Sequence, residues 1–187
     1  MRKVLLALLV TIPTLPLPGC SAVSTFDKYA TLRFHELYRT DIKYSYFDGK
    51  SGMRSANPNF RNVMLPARIA DSDQWMDFTD DLGSHFKTFG NTLYRDTYPA
   101  GLEPIKQFLV WSRLPPMQRL TMRDTLNATP EFTSIKAQLV VERGTDEPLL
   151  VFSGSSLLWE TIPQYAVDSD NAIRMLFNAR DWYAASK

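Results

Sequence analysis

Ile135-Lys136-Ala137-Gln138-Leu139-Val140-Val141-Glu142, the turn Arg143-Gly144-Thr145-Asp146-Glu147-Pro148 and the return Leu149-Leu150-Val151-Phe152 form the stretch that decides the fold. Ile135, Ala137, Leu139 and Val141 alternate with Lys136, Gln138 and Glu142. Successive strand side chains point to opposite faces, so this period of two marks a half-buried strand. Gly144, Thr145, Asp146 and Pro148 supply turn chemistry, and Leu149 to Trp159 reads as the returning strand. The result is an antiparallel hairpin, and hairpins build antiparallel sheets.

Working outward toward the C-terminus, Thr161-Ile162-Pro163 breaks the chain. A helix is then predicted from about Asp170, with Ala172, Ile173, Leu176, Ala179 and Tyr183 along one side. Toward the N-terminus, Gln118 to Leu126 fits either a strand or a helix. The run Phe108-Leu109-Val110-Trp111 within Gly101 to Arg113 fits a buried strand or a short helix, limited by Pro104 and Pro115. Trp75, Phe78, Leu82, Phe86 and Phe89 recur at three and four, one face of a helix, with Asp71 or Ser72 as its cap and Gly90 at its end. Asp-Ser-Asp thus opens both predicted helices, at Asp71 to Asp73 and at Asp168 to Asp170, as two similar caps. Phe60 to Ala70 is an extended candidate in which Pro66 marks an edge or an end. Ile42, Tyr44 and Tyr46 alternate as a strand closed by Asp48-Gly49. From Ser24, the residues Phe26, Tyr29, Ala30, Phe34 and Leu37 keep helical spacing. The predicted fold class is α+β: a single mostly antiparallel sheet with two main helices on one face and a short N-terminal helix.

The 187 residues carry 21 basic and 20 acidic side chains and one cysteine. This interspersed, near-neutral charge gives no footprint for nucleic acid and no polybasic membrane patch. A single cysteine excludes an internal disulfide, so the fold rests on its core.

At the N-terminus, Arg2 and Lys3 precede an apolar run from Val4 to Ile12, too short to span a bilayer and suited to a signal-peptide core. Leu17-Pro18-Gly19-Cys20 comes next, and Cys20 is the chain's only thiol. This stretch resembles the lipobox of bacterial lipoproteins, with a small residue before the cysteine and a leucine three positions upstream; Pro18 stands where that family commonly has a small or β-branched residue. The resemblance covers the first twenty residues. It implies a signal peptide over residues 1–19 recognised through Leu17, Pro18 and Gly19, and diacylglycerol on the Cys20 sulfur with a further acyl chain on its amino group. It also implies a single periplasmic domain over 20–187, with membrane lipid as the first partner. Each buried CH₂ contributes roughly 0.8 kcal/mol, so two or more chains hold a domain on a membrane where one barely would. Ser21, rather than Asp, after the cysteine implies an outer-membrane destination by the enterobacterial sorting habit.

The candidate chemistry is thin. Asp71, Asp73, Asp77, Asp80 and Asp81 suggest a calcium loop, but Trp75 and Met76 stand where an EF-hand wants an oxygen ligand and a glycine. The cluster is expected on a solvated helix face. His35 and His85 lack the further ligands a zinc site needs. Ser153-Gly154-Ser155-Ser156 lacks the second glycine of a nucleophile elbow. Tyr44, Tyr46, Trp111, Trp159, Trp182 and Tyr183 are read as mostly core, the alternative being an exposed partner or glycan patch. No catalytic, metal or cofactor site is expected. The expected function is a non-enzymatic binding, scaffold or assembly accessory at the outer membrane with an envelope protein as partner. The alternative is a lipid-anchored hydrolase of envelope polymers using carboxylates such as Asp77 or Asp81.

Overall fold

The computed structural model describes residues 35–81, 86–153 and 164–185. The architecture is α+β, and every strand pairing among these residues is antiparallel. Their strands form two sheets rather than the single sheet expected.

The first sheet has the order β1-β5-β6-β7, built from β1 (His35–Tyr38), β5 (Ala67–Ala70), β6 (Trp75–Asp81) and β7 (Phe86–Tyr94). It corrects the sequence reading most sharply, because the predicted helix over Trp75 to Phe89 is the β6–β7 pair, with Gly90 inside β7. Trp75, Met76, Asp77, Phe78 and Thr79 are all buried, so both faces of β6 are covered and the alternation that would betray a strand is erased. A register shift between Met76 and Phe78 breaks the period further. The apolar residues left at three and four imitate a helix. The C-terminal end of the predicted N-terminal helix, from His35, is β1; its earlier residues lie outside the described ones.

The second sheet runs β3-β2-β10-β9-β8: β3 (Met53–Arg54), β2 (Lys43–Asp48), β10 (Gln164–Val167), β9 (Pro148–Ser153) and β8 (Ala137–Val141). β4 (Val63–Met64) pairs with the Lys43–Tyr44 end of β2. The chain passes between the sheets at Leu65-Pro66; Leu65 N donates to Ile42 O in one sheet, and Pro66 O accepts from Thr79 N in the other. A proline, unable to donate, fits that crossing.

This second sheet curls until its edges meet. The ladder sets Arg54 of β3 level, through Phe47, Gln164 and Ser153, with Lys136 at the start of β8. Yet Arg54 bonds Glu142 beyond the far end of β8, through its own N at 2.8 Å and Nη2 at 2.7 Å, and Arg143 N donates to Gly52 O. Only a staggered, curled sheet brings those positions together. Phe47, Leu149, Val151 and Ala166 fill the concave side. Leu150, Phe152, Tyr165 and Val167 face the main core. With both faces covered, Leu149 to Phe152 are buried without a break.

The described residues include four α-helices, α1 (Glu103–Ser112), α2 (Pro116–Asn127), α3 (Pro130–Ser134) and α4 (Ser169–Ala184); α1 and α4 pack on β9, and α2 and α3 on β8. Both ambiguous stretches are therefore helical. α1, α2 and α3 each have proline in the first turn, where its missing N–H costs nothing. α4 appears where predicted, with Asp168 as its cap, and buries Ala172, Met175, Ala179 and Trp182, spaced at three and four, against α1 and β9.

Candidate functional site

The sequence places α1 and α2 side by side by local means. Ile105, Phe108, Leu109 and Trp111 bury one face of α1, and Leu114-Pro115-Pro116 ends that helix and starts the next. α2 is polar and buries little apart from Arg119. It is held by Trp111 Nε1, which donates to Arg119 O at 2.9 Å, together with Asn127 at its far end. Asn127 Oδ1 accepts from Leu139 N at 2.7 Å and its Nδ2 donates to Leu139 O at 3.1 Å. That side chain stands where a further strand would pair with β8, so it also blunts the sheet edge.

Because α2 is held at its ends rather than by a packed seam, a groove of about 190 Å³ is left between the two helices. Val110 and Leu114 of α1 face Met122 and Leu126 of α2 across it, with Trp111 as a wall. Val110 is 68% exposed and Met122 44%. Glu103 and Lys106, an exposed pair at 3.8 Å, form the rim. Gln107 also lines the groove; its Nε2 donates weakly to Glu103 Oε1 at 3.4 Å, and its buried Oε1 has no hydrogen-bond donor among the described residues. Met117 is 74% exposed and Leu120 48%, both lying on the other flank of α2.

Two further concavities differ in chemistry. An open cleft of about 680 Å³ lies among Thr92, Tyr94, Thr97, Pro104, Glu131 and Ser134, with Glu131 contributing a carboxylate. A cavity of about 310 Å³ carries Glu36, Asp71 and Asp73 beside Trp182. There Asp73 is neutralised by Arg95 at 2.5 Å and accepts from Trp182 Nε1 at 2.9 Å. The Tyr38 hydroxyl donates to a Glu36 carboxylate oxygen at 2.7 Å, and this contact leads the causes that raise the Tyr38 pKa. The strongly perturbed carboxyl is elsewhere. Burial pushes Glu142 up, but hydrogen bonds from Arg54 and Thr145 outweigh it and hold the carboxyl down at about 2. Glu147 adds a second carboxylate to Arg54, so this cluster is an ion-pair clasp between the sheet edges and not an acid–base pair.

The residues singled out in the sequence are dispersed. Asp71 is exposed in the β5–β6 turn and Asp73 is engaged as above. Asp77, expected on a solvated helix face, is fully buried on β6 and forms a two-pronged ion pair with Arg68 of β5, Nε to Oδ1 at 2.8 Å and Nη2 to Oδ2 at 2.5 Å. The register sets Arg68 directly opposite Asp77, and Arg68 also lies 5.8 Å from the Trp75 ring. A carboxylate locked this way is structural. Asp80 and Asp81 are in the strand, and His35 opens β1. Leu17, Pro18, Gly19, Cys20, His85, Trp159 and the serines after Ser153 lie outside the described residues. Of the aromatics, Tyr44, Trp111 and Trp182 are buried, while Tyr183 is exposed and stacks on Tyr98 at 4.0 Å. Among the described residues, no group of three or more His, Cys, Asp or Glu is placed to hold a metal ion, and no helix is long and apolar enough to cross a membrane. Val110, Gln107 and Met122 carry no motif. The surplus of apolar residues on the polar Gln118 to Leu126 stretch was the available signal. Comparison with protein-family models, curated proteins and solved structures finds no match to this chain.

Proposed function

We propose that this chain is a bacterial envelope lipoprotein, anchored through acylated Cys20 in the outer membrane and facing the periplasm. In this reading it acts without catalysis, as a binding or assembly accessory whose α1–α2 groove receives an apolar side chain of an envelope protein. The groove carries the reading. At about 190 Å³ it falls below the roughly 300–1,000 Å³ of small-molecule sites, and its apolar walls suit one side chain of a helix laid along α1 and α2. Met122 adds a flexible, polarisable surface of the kind used at adaptable interfaces. The exposed, oppositely charged Glu103 and Lys106 give the rim a means of orienting a partner. The alternative, a hydrolase of envelope polymers using Asp77 or Asp81, loses the first of these carboxylates, since Asp77 is locked against Arg68.

Two measurements test this. A Cys20→Ser form is expected to leave the membrane fraction; retention like wild type would sink the anchor. A photo-crosslinking residue at Val110, tested in intact envelopes, is expected to capture a protein that the same residue at Phe177, an exposed position of α4, does not. Met122→Lys is expected to abolish that capture. Equal capture from both positions would remove the groove from the reading.

A further inference from the structure

The sheet edges are not treated alike. At β8, Asn127 bonds both the N and the O of Leu139 and fills the place of a further strand. At β3, Arg143 N donates to Gly52 O and Arg54 N to Glu142 Oε1, so the turn after β8 closes that edge. β7 differs. With nine residues it is the longest strand among the described residues, and none of their other strands pairs with its outer side. Its sequence carries one charge, Lys87, and no proline, which guards an edge lightly. Thr79 N of β6 donates to Pro66 O on the β5 side, so Phe78 and Asp80 turn their backbone groups toward β7, where they face Phe89 and Lys87. Backbone direction alternates along a strand, so Thr88 presents its N–H and C=O outward.

The open cleft of about 680 Å³ lies at the C-terminal end of this edge. Leu93 turns into the core against Gly101, where an added Cβ would sit 2.7 Å from Leu93 Cδ2, while Thr92 and Tyr94 lie on the opposite side of the strand. Thr92, Tyr94 and Gly101 all line the cleft, so it wraps the edge of β7 rather than one face. α3 closes the far side through Pro130, Glu131 and Ser134, so the cleft admits one extended chain and not the continuing sheet of a second copy. We infer that β7 and this cleft form a strand-addition site for one extended segment of a partner protein. Its main chain pairs at Thr88, and the segment runs on into the cleft with a lysine or arginine beside Glu131. A strand edge is complemented by extended main chain, and Glu131 is the one charged side chain among the residues lining the cleft. The site shares no lining residue with the α1–α2 groove and does not depend on it.

The test uses the full chain and one probe, the end-blocked peptide Thr-Val-Thr-Val-Lys-Val-Thr-Val-Thr, with hydrogen exchange read at the Thr88 amide. Saturable binding below about 1 mM, with slower exchange at Thr88, is expected. A form N-methylated at every second residue keeps one pairing edge and is expected to bind like the parent. A form methylated at every residue keeps neither edge and is expected to bind at least about tenfold more weakly. Glu131→Gln is expected to weaken the parent peptide about threefold and to leave the peptide with glutamine in place of lysine unchanged; equal loss or no loss for both would overturn the basic residue in the cleft. No saturable binding, undiminished binding of the fully methylated form, or unchanged exchange at Thr88 would overturn the site. Protection of Thr88 in the chain alone would give the edge to another segment of this chain, and protection that grows with protein concentration would give it to a second copy; either overturns the partner segment. The wild-type comparisons need no variant to fold.

Discussion

At Asp168 to Asp170 the tripeptide Asp-Ser-Asp begins a helix: Asp168 Oδ1 accepts from Asn171 N at 2.9 Å, and α4 runs on from there. At Asp71 to Asp73 the same tripeptide turns β5 into β6, with Asp73 in the left-handed region at φ 56°. The two copies nevertheless serve one element, because they hold opposite ends of α4. The first turn of α4 is fixed by Asp168, while Asn171 Oδ1 accepts from Lys43 N of β2 at 2.7 Å. The last turn is fixed from the other copy. Arg95, held by Asp73, donates to Trp182 O at 3.1 Å and Tyr183 O at 2.8 Å, supplying the donors that terminal carbonyls lack within the helix. Arg95 also lies 4.7 Å from the Trp182 ring. Three residues therefore specify a polar, turn-forming unit. The residues C-terminal to each copy decide its role: Ala172, Met175 and Ala179 find a helical seam, whereas Trp75 to Asp81 find strands on both sides.

The largest way to break this contrast is Asp77→Ala. If the chain after Asp71 were a helix with Asp77 in solvent, the change would cost under about 0.5 kcal/mol. With Asp77 buried against Arg68, about 3–5 kcal/mol is expected, because a buried guanidinium loses its counter-charge. Urea unfolding measures it.

A third acidic turn, Glu142 to Glu147, sharpens the comparison by its response to acid. The Glu142 carboxyl lies at about 2 in the fold against an ordinary 4.5, so its contribution is present in full above about 4.5 and is lost as pH falls toward 2. Glu142→Gln is expected to cost about 2 kcal/mol at neutral pH, as bonds to a charged partner do, and to flatten stability between those two pH values. A variant whose thermal midpoint still falls as steeply across that window as the wild type's would place the acid sensitivity elsewhere.

Asp73→Ala removes the anchor of Arg95 and the acceptor of Trp182 Nε1, with an expected loss of about 1–3 kcal/mol. Hydrogen exchange at the last turn of α4 is expected to rise with it, although residue 73 is far from α4 in sequence. The smallest effect is Asp168→Ala, about 1 kcal/mol for a lost cap, with faster exchange confined to the first turn. Faster exchange at the same end of α4 in both variants would collapse the distinction between the two copies.

The legibility of the chain tracks the range of the interactions. The β8–β9 hairpin, its turn, strand β2 and the final helix could be read because alternation, turn residues and caps act within a few residues. The helix pair α1–α2 was half legible: Pro104 and Pro116 suit first helical turns, but short apolar runs do not distinguish a buried strand from a helix. The groove was not, since its walls are ordinary residues on two elements whose spacing is set by Trp111, Arg119 and Asn127.

By itself the sequence determined the α+β class, the antiparallel hairpin and the polar character of both Asp-Ser-Asp units, all consequences of local period and backbone chemistry. Only the tertiary structure decided that the strands divide into two sheets, that Trp75 to Tyr94 pairs as strands, and that Arg54 clasps Glu142 across a curled sheet. The physical reason is common to these three. A strand buried on both faces loses its alternation, and an ion pair such as Arg68–Asp77 becomes favourable only once the register has set two distant side chains opposite one another and removed them from water.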